Sequence, residues 1–199
     1  MIMKLKKIGP DDFKKSLESL LSNENISNIL IRGYFDNSKL NLTLRAIKDN
    51  KEMREGVFVI GGMKQGRTEN VLGHALHIPN FYLDSLEKVD IGNQTQITSD
   101  KWNQDVEFTY DDNCDFALFY PIQLEVADKK FVTTIIQKIK NSKAKKNIIL
   151  TTNDWTKNPE TLYKYMDSVI SLDLEDYNEE YREKLKYIKI NIDGKPLPY

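Results

Sequence analysis

Two stretches of the chain carry glycines and a basic residue at nearly the spacing of a phosphate-binding loop. That motif is glycine, four residues, glycine, lysine, then serine or threonine, and its backbone N–H groups and lysine cradle phosphates. In GYFDNSKL the first glycine is Gly33 and the lysine is Lys39, but Ser38 replaces the second glycine and Leu40 the hydroxyl. In GGMKQGRT both glycines are present, but arginine replaces the lysine. The first stretch is equally compatible with a phosphate site and with a plain helix N-terminus.

Carboxylates suggest a second kind of chemistry, metal-dependent cleavage of nucleic acid. Restriction-type nucleases use an aspartate, then a glutamate with a lysine two residues further on. Asp115 and Glu125 could supply the carboxylates, but the lysine position is Ala127, and the nearest lysines are Lys129 and Lys130. Two unrelated carboxylates, one at a strand start and one in a loop, explain the pattern more simply.

The remaining polar and aromatic candidates each have an ordinary structural explanation. His74 and His77 could share a metal, but no third ligand stands at motif spacing, and we predict no metal site. Cys114 is the only cysteine, so no internal disulfide can form, and we predict a structural role for it. Lysines could contact phosphates and tryptophans could stack on bases. The candidate lysines are Lys138, Lys140, Lys143, Lys145 and Lys146, and the candidate tryptophans are Trp102 and Trp155.

Apolar strands and amphipathic helices take turns from residue 28 onward. The predicted strands are NILIRGYF, GVFVIGG, CDFALFYPI, NIILTTND and DSVISLDL, and the helices between them include LNLTLRAIKDN, TENVLGHAL, KKFVTTIIQKIKNSKAKK and PETLYKYM. Residues 77–113 are less clear, with possible strands around NFYLDSL, TQITS and VEFTY. EEYREKLKYIKINIDGK is predicted as a short helix, a strand and a turn. The alternation predicts an α/β fold, a mainly parallel sheet flanked by helices over residues 28–199, with residues 1–27 as an N-terminal helical extension.

Composition limits the classes of function. The 199 residues carry 29 basic and 30 acidic side chains, a net charge of -1, and 40% of them are hydrophobic. This balance gives no general signal for nucleic acid or for an anionic membrane, although a local basic patch is compatible with it. The chain has no apolar leader and no stretch of membrane-spanning length, so we expect a cytoplasmic protein without a membrane partner.

The succession of these stretches resembles the RecA-type P-loop ATPase core of replicative helicases and their circadian-clock and recombinase relatives. NILIRGYFDNSKLNL stands where that family has its phosphate loop, and VFVIGGM where its second strand ends in a catalytic glutamate followed by methionine. ALFYPIQL resembles the metal-binding strand and NIILTTND the strand that carries a polar sensor. DSVISLDL followed by YIKINIDGK resembles the final strands. The resemblance implies a RecA-like P-loop NTPase fold.

Taken residue by residue, the resemblance implies a scaffold that has lost catalysis. The glutamate that activates water is replaced by Gly62, and the aspartate that holds magnesium is replaced by Tyr120. Lys39 keeps the family's residue type, and Gln123 and Asn153 are candidate sensors. Phosphoryl transfer depends on positioning and on a metal that neutralises charge, so these losses remove most of the rate enhancement.

The resemblance therefore implies a vestigial nucleotide site formed by Gly33, Ser38, Lys39 and Leu40, with ATP bound weakly if at all. It implies a binding or assembly component in DNA replication or recombination, of the kind encoded by phages and other mobile elements. The expected partners are another protein or further copies of the chain, with DNA as an additional candidate. Two alternatives stay open, an atypical active ATPase that uses Lys39 and the nuclease that uses Asp115 and Glu125.

Overall fold

The computed structural model describes residues 5–61, 65–83, 87–101, 114–122, 126–152, 154–192 and 197–199. The strands are β1 (Lys6–Ile8), β2 (Asn28–Arg32), β3 (Glu55–Ile60), β4 (Val89–Gly92), β5 (Thr95–Lys101), β6 (Phe116–Tyr120), β7 (Lys146–Leu150) and β8 (Ser168–Leu172). The α-helices are α1 (Pro10–Leu21), α2 (Asp36–Asp49), α3 (Gln65–Leu76), α4 (Lys129–Asn141) and α5 (Glu179–Asn191), and a 3-10 helix covers Asn158–Tyr165.

The eight strands within the described residues belong to one sheet in the order β1-β8-β2-β7-β6-β3-β5-β4. Every neighbouring pair is parallel except β4 and β5, which are antiparallel. The central strands are apolar on both faces, and every residue of β6 and β7 is buried. Strands of this type must be covered on both sides. The predicted class, α/β with a mainly parallel sheet flanked by helices, is confirmed.

Helices cover the two faces of the sheet unequally. The core on one face contains Phe13 of α1, Leu44 of α2 and Leu72 of α3. The core on the other face contains Ile135 of α4 and Leu162 of the 3-10 helix. The neighbouring strands β2 and β7 are therefore followed by helices on opposite faces. Such a switch point opens a crevice at the carboxyl ends of the two strands, where α/β proteins bind ligands.

Residues 5–27, the described part of the predicted helical extension, contribute β1 to the sheet and α1 to the layer of helices that covers one face. β1 pairs in parallel with β8, with Lys6 opposite Ile170 and Ile8 opposite Leu172. α1 buries Phe13 in the core that α2 shares. None of the helices within the described residues is both long and apolar enough to span a bilayer.

The strand predicted within YIKINIDGK is wrong over the described residues of this stretch, 187–192, because α5 continues to Asn191. The side chain of Asn178 caps the helix by accepting the N–H of Tyr181 at 3.1 Å. Leu185 and Ile188 are both buried, three residues apart, which is a helical period. The β-branched residues of this segment favour a strand, but packing of the helical stripe overrides that preference.

Of the three strands predicted in residues 77–113, one is present within the described residues. TQITS lies within β5, which confirms that prediction. The described part of NFYLDSL, residues 80–83, has no strand, and VEFTY lies outside the described residues. PETLYKYM, predicted as a helix, forms the 3-10 helix rather than an α-helix.

Candidate functional site

The crevice between the carboxyl ends of β2 and β7 begins at Gly33, the first residue after β2. Gly33 has a φ of 139°, which side-chain-bearing residues rarely adopt. A Cβ at this position would also lie 2.8 Å from the carbonyl oxygen of Leu172. The turn therefore requires glycine for its own geometry, independently of any ligand.

The loop after β2 is too short to wrap a phosphate, because α2 starts only three residues after Gly33. Ser38, Lys39 and Leu40 already lie in the first two turns of α2, and the Lys39 N–H donates to the Phe35 carbonyl at 3.1 Å. Leu40 is fully buried in the core. The Ser38 hydroxyl lies 2.9 Å from the hydroxyl of a tyrosine on α5. The predicted phosphate-binding residues thus have structural partners of their own.

The ammonium group of Lys39 is buried and is surrounded by oxygens of the chain itself. It donates to the carbonyl of Gly33 at 2.5 Å and to the hydroxyl of Thr151 at 3.1 Å. A carboxylate oxygen of Asp36 lies 3.5 Å away. Burial lowers the pKa of Lys39, and the charges of Asp36 and Asp154 oppose that shift. Lys39 therefore acts as an internal bridge between the ends of β2, β7 and α2.

A buried ion pair lies beside Lys39. Arg32 at the end of β2 donates to both carboxylate oxygens of Asp154, at 2.8 and 2.7 Å, and both side chains are fully buried. Arg32 also donates to the Tyr163 hydroxyl at 2.6 Å and to the Thr156 carbonyl at 3.0 Å. Burial disfavours the charged guanidinium, but the hydrogen bonds and the charge of Asp154 outweigh it and raise the pKa of Arg32. Such a pair fixes the geometry of the crevice.

An aromatic ring from the 197–199 segment fills the crevice. The hydroxyl of Tyr199 donates to Asp154 at 2.9 Å. Its ring stacks on Tyr34 with 4.9 Å between centroids and 8° between planes, and the Arg32 guanidinium carbon lies 4.6 Å from its centroid. The Tyr34 hydroxyl donates to the backbone oxygen of Tyr199. Burial raises the pKa of both tyrosines, that of Tyr34 to about 12.

Of the two degenerate positions of the resemblance, the structure describes Tyr120, which lies at the carboxyl ends of the strands, as the crevice does. Tyr120 ends β6, and its carbonyl accepts the N–H of Gly61 at 3.1 Å. The Tyr120 ring is buried against the Phe58 ring, with centroids 6.1 Å apart. Burial raises the pKa of the Tyr120 hydroxyl. Gly62, Gln123 and Asn153 lie outside the described residues.

Asp115, the first candidate for nuclease chemistry, lies directly before β6, at the amino ends of the strands and therefore on the opposite side of the sheet from the crevice. It has structural partners there. Its carboxylate accepts the backbone N–H groups of Arg54 and Glu55 at 2.9 and 3.0 Å and the ammonium of Lys145 at 2.8 Å. Burial opposes ionisation of Asp115, but these hydrogen bonds outweigh it and lower the pKa. Glu125 lies outside the described residues.

The histidines and the cysteine are not part of this crevice. His74 and His77 line a cavity of about 400 Å³ at the end of α3. Within the described residues, no three His, Cys, Asp or Glu side chains lie close enough to share a metal ion. Cys114 is buried, and burial raises the pKa of its thiol to about 11.

The candidate lysines of α4 and β7 differ in exposure. Lys138 is fully buried and lies 2.8 Å from Asp100, and Lys146 is buried and donates to the carbonyl of Asn23 at 2.6 Å. Lys140, Lys143 and Lys145 are exposed. Trp155 is half-buried next to Asp154, and Trp102 lies outside the described residues. The five lysines therefore do not form one basic surface.

Sequence reasoning missed Arg32, Asp154 and Tyr199, which form the centre of the crevice. Arg32 precedes the candidate loop and Asp154 follows the candidate sensor Asn153, so both adjoin residues that the motifs had marked. A charged residue at the end of each of two apolar strands was the available signal, because buried charges require a partner.

Comparison with known proteins gives no match to any family model, curated protein or solved structure. The fold and the crevice define an α/β protein with a mostly parallel sheet flanked by helices and a polar crevice at its switch point.

Proposed function

We propose that this chain is a RecA-type P-loop domain that has lost nucleotide hydrolysis and serves as a binding or assembly component of cytoplasmic DNA-replication or recombination machinery. The proposal extends to an origin in a phage or another mobile element, to a protein partner or further copies of the chain, and to contact with DNA. It combines the sequence resemblance with the geometry of the crevice, and the biological setting is an analogy with the family.

The convergence of three strand ends supports the proposal. β2, β7, β6 and β3 are consecutive parallel strands of the sheet, so their carboxyl ends lie on the same side of it. Gly33 and Tyr120 both lie at these carboxyl ends. The N–H of Gly61, which precedes the degenerate position Gly62 in the sequence, donates a hydrogen bond to the Tyr120 carbonyl. An ATPase of this type needs its loop lysine, metal ligand and base to converge in this way.

The environment of Lys39 is the single observation that carries the loss of hydrolysis. A loop lysine that acts on a nucleotide must offer its ammonium to the outer phosphates. Here the ammonium is fully buried and its hydrogen bonds go to Gly33 and Thr151. The neighbouring carboxylate of Asp36 also repels a polyphosphate. A nucleotide would have to displace these contacts before Lys39 could reach it.

Exposed apolar side chains on and beside α5 support the assembly role. Tyr187 is 64% exposed, Ile190 68% and Tyr177 55%. Exposed groups of large apolar side chains often mark contacts with other proteins. These exposed side chains are compatible with contact to a partner protein or to a second copy of the chain.

Turnover and binding of Mg²⁺-ATP by the pure protein test the proposal. We expect no hydrolysis above the buffer blank for the parent chain, for Lys39→Ala, or for Lys15→Ala, which changes an exposed lysine as a matched control. Lys39→Met, which keeps most of the buried stem, guards against loss of folding in Lys39→Ala. Magnesium-dependent turnover that both Lys39 variants lose and Lys15→Ala keeps would establish the alternative, an atypical ATPase.

A further inference from the structure

The crevice holds the Tyr199 ring by three different kinds of contact. Tyr34 stacks on the ring face, the Arg32 guanidinium lies 4.6 Å from the ring centroid, and Asp154 accepts the hydroxyl hydrogen at 2.9 Å. Two of these three groups, Arg32 and Asp154, are fully buried side chains. Together they form a slot for a flat ring with a hydrogen-bond donor on the rim that faces Asp154.

The Asp154 carboxylate does not depend on Tyr199 for its hydrogen bonds. Without the tyrosine, the Asp154 carboxylate still accepts from Arg32 at 2.8 and 2.7 Å and from the Thr151 hydroxyl at 3.0 Å. The N–H of Gly33 lies 3.3 Å from the same carboxylate. Departure of the ring therefore leaves no buried charge without a partner, so another ring can replace it at moderate cost.

Cytosine has the shape and the donor that this slot accepts. Tyrosine is attached to the chain at one ring position and carries its hydroxyl at the opposite position. Cytosine is attached to its sugar at N1 and carries an amino group at C4, the opposite ring position. An aspartate accepts from that amino group, whereas uracil and thymine present an acceptor oxygen there. A carboxylate at the rim thus selects cytosine among the pyrimidines.

We propose that the crevice is a binding slot for the cytosine base of a nucleotide, which takes the place that Tyr199 occupies in the chain. The base stacks on Tyr34 and donates its amino hydrogens to Asp154, with Arg32 beside the ring. The inference goes beyond the proposed function, because it requires neither a P-loop ancestry nor the loss of hydrolysis.

The test compares two nucleotides that differ at this ring position. Cytidine 5′-monophosphate and uridine 5′-monophosphate are titrated into the parent chain and into Tyr199→Ala, and binding is followed by NMR of the base protons. We expect Tyr199→Ala to bind the cytidine nucleotide at least about tenfold more tightly than the uridine nucleotide. We expect the parent chain to bind the cytidine nucleotide more weakly than Tyr199→Ala does, because Tyr199 of the parent chain competes for the same slot.

A second substitution identifies the slot as the binding place. In the Tyr199→Ala background, Tyr34→Leu removes the stacking ring and should weaken cytidine binding by about tenfold. Stacking on Tyr34 should shift the NMR signals of the base protons upfield, and Tyr34→Leu should abolish that shift. Circular dichroism verifies that both variants are folded. Equal affinity for the two nucleotides, no binding to folded Tyr199→Ala, or binding that Tyr34→Leu leaves unchanged would each overturn the proposal.

Discussion

Removal of Asp154 should destabilise the whole domain, because it leaves a buried charge without its partner. Arg32 makes two hydrogen bonds of 2.7 and 2.8 Å to this carboxylate, and both side chains are fully buried. Breaking one side of such a pair costs about 3–5 kcal/mol. Because Arg32 keeps its bonds to Tyr163 and Thr156, we expect Asp154→Ala to lie near the lower end, at about 3 kcal/mol.

Thermal and urea unfolding followed by circular dichroism measure this effect. For a chain of this length, a loss of that size lowers the Tm by about 6–12 °C. The double variant Arg32→Met, Asp154→Leu removes both charges and should regain at least half of the loss, since paired apolar replacements are often tolerated. Glu180→Ala breaks an exposed pair with Lys184 and should leave the Tm unchanged within error. A Tm of Asp154→Ala within 2 °C of the parent, as about 0.5–1 kcal/mol would give, refutes the structural role of the pair.

Three further substitutions test the crevice, the core and the opposite edge. Gly33→Ala places a Cβ 2.8 Å from the Leu172 carbonyl at a φ of 139° and should cost about 2 kcal/mol or more in urea unfolding, and a neutral result would contradict the turn. Gly56→Ala places a Cβ 2.2 Å from the Phe116 ring and should cost about 1–3 kcal/mol, which Phe116→Leu in the same chain should partly restore. Asp115→Asn should destabilise at pH 7 by about 1–2 kcal/mol. Since the folded pKa of Asp115 lies below its ordinary 3.8, its stabilisation is present above that value and is lost as the pH falls through the folded pKa, so the difference from the parent should vanish in acid. A difference that persists unchanged at the lowest pH, or metal-dependent DNA cleavage that Asp115→Asn abolishes, would contradict the structural role of this carboxylate.

The fold was predictable from the sequence where a strand contains a continuous apolar run. β6 is apolar over all five residues, and β7 carries Ile148, Ile149 and Leu150 after two polar residues; such short, fully buried runs have few alternatives in an α/β chain. The strand predicted within YIKINIDGK was wrong over its described residues, because the local β propensity conflicts there with the helical spacing of Leu185 and Ile188. Only the presence of a core on one side of α5 decides between the two.

The sequence points to the region after β2 but not to the contacts made there. It predicts Lys39 in a loop between a strand and a helix, whereas Lys39 lies within α2 and only its ammonium reaches back to Gly33 at the end of β2. It does not reveal that Arg32 meets Asp154, because 122 positions separate them along the chain. It also gives no sign that Tyr199 enters the crevice, since an isolated tyrosine near a proline has many possible environments. Contacts between residues so far apart in the sequence are set by the order of the strands in the sheet, in which β2 and β7 are neighbours.

The most direct test of the central claim is a crystal structure of the chain grown with Mg²⁺ and a non-hydrolysable ATP analogue. We predict that the Lys39 ammonium remains bonded to the Gly33 carbonyl and the Thr151 hydroxyl, as it is at 2.5 and 3.1 Å here, and that no triphosphate contacts residues 33–39. A triphosphate held by the backbone of that loop, with Lys39 turned onto its outer phosphates, would contradict the account.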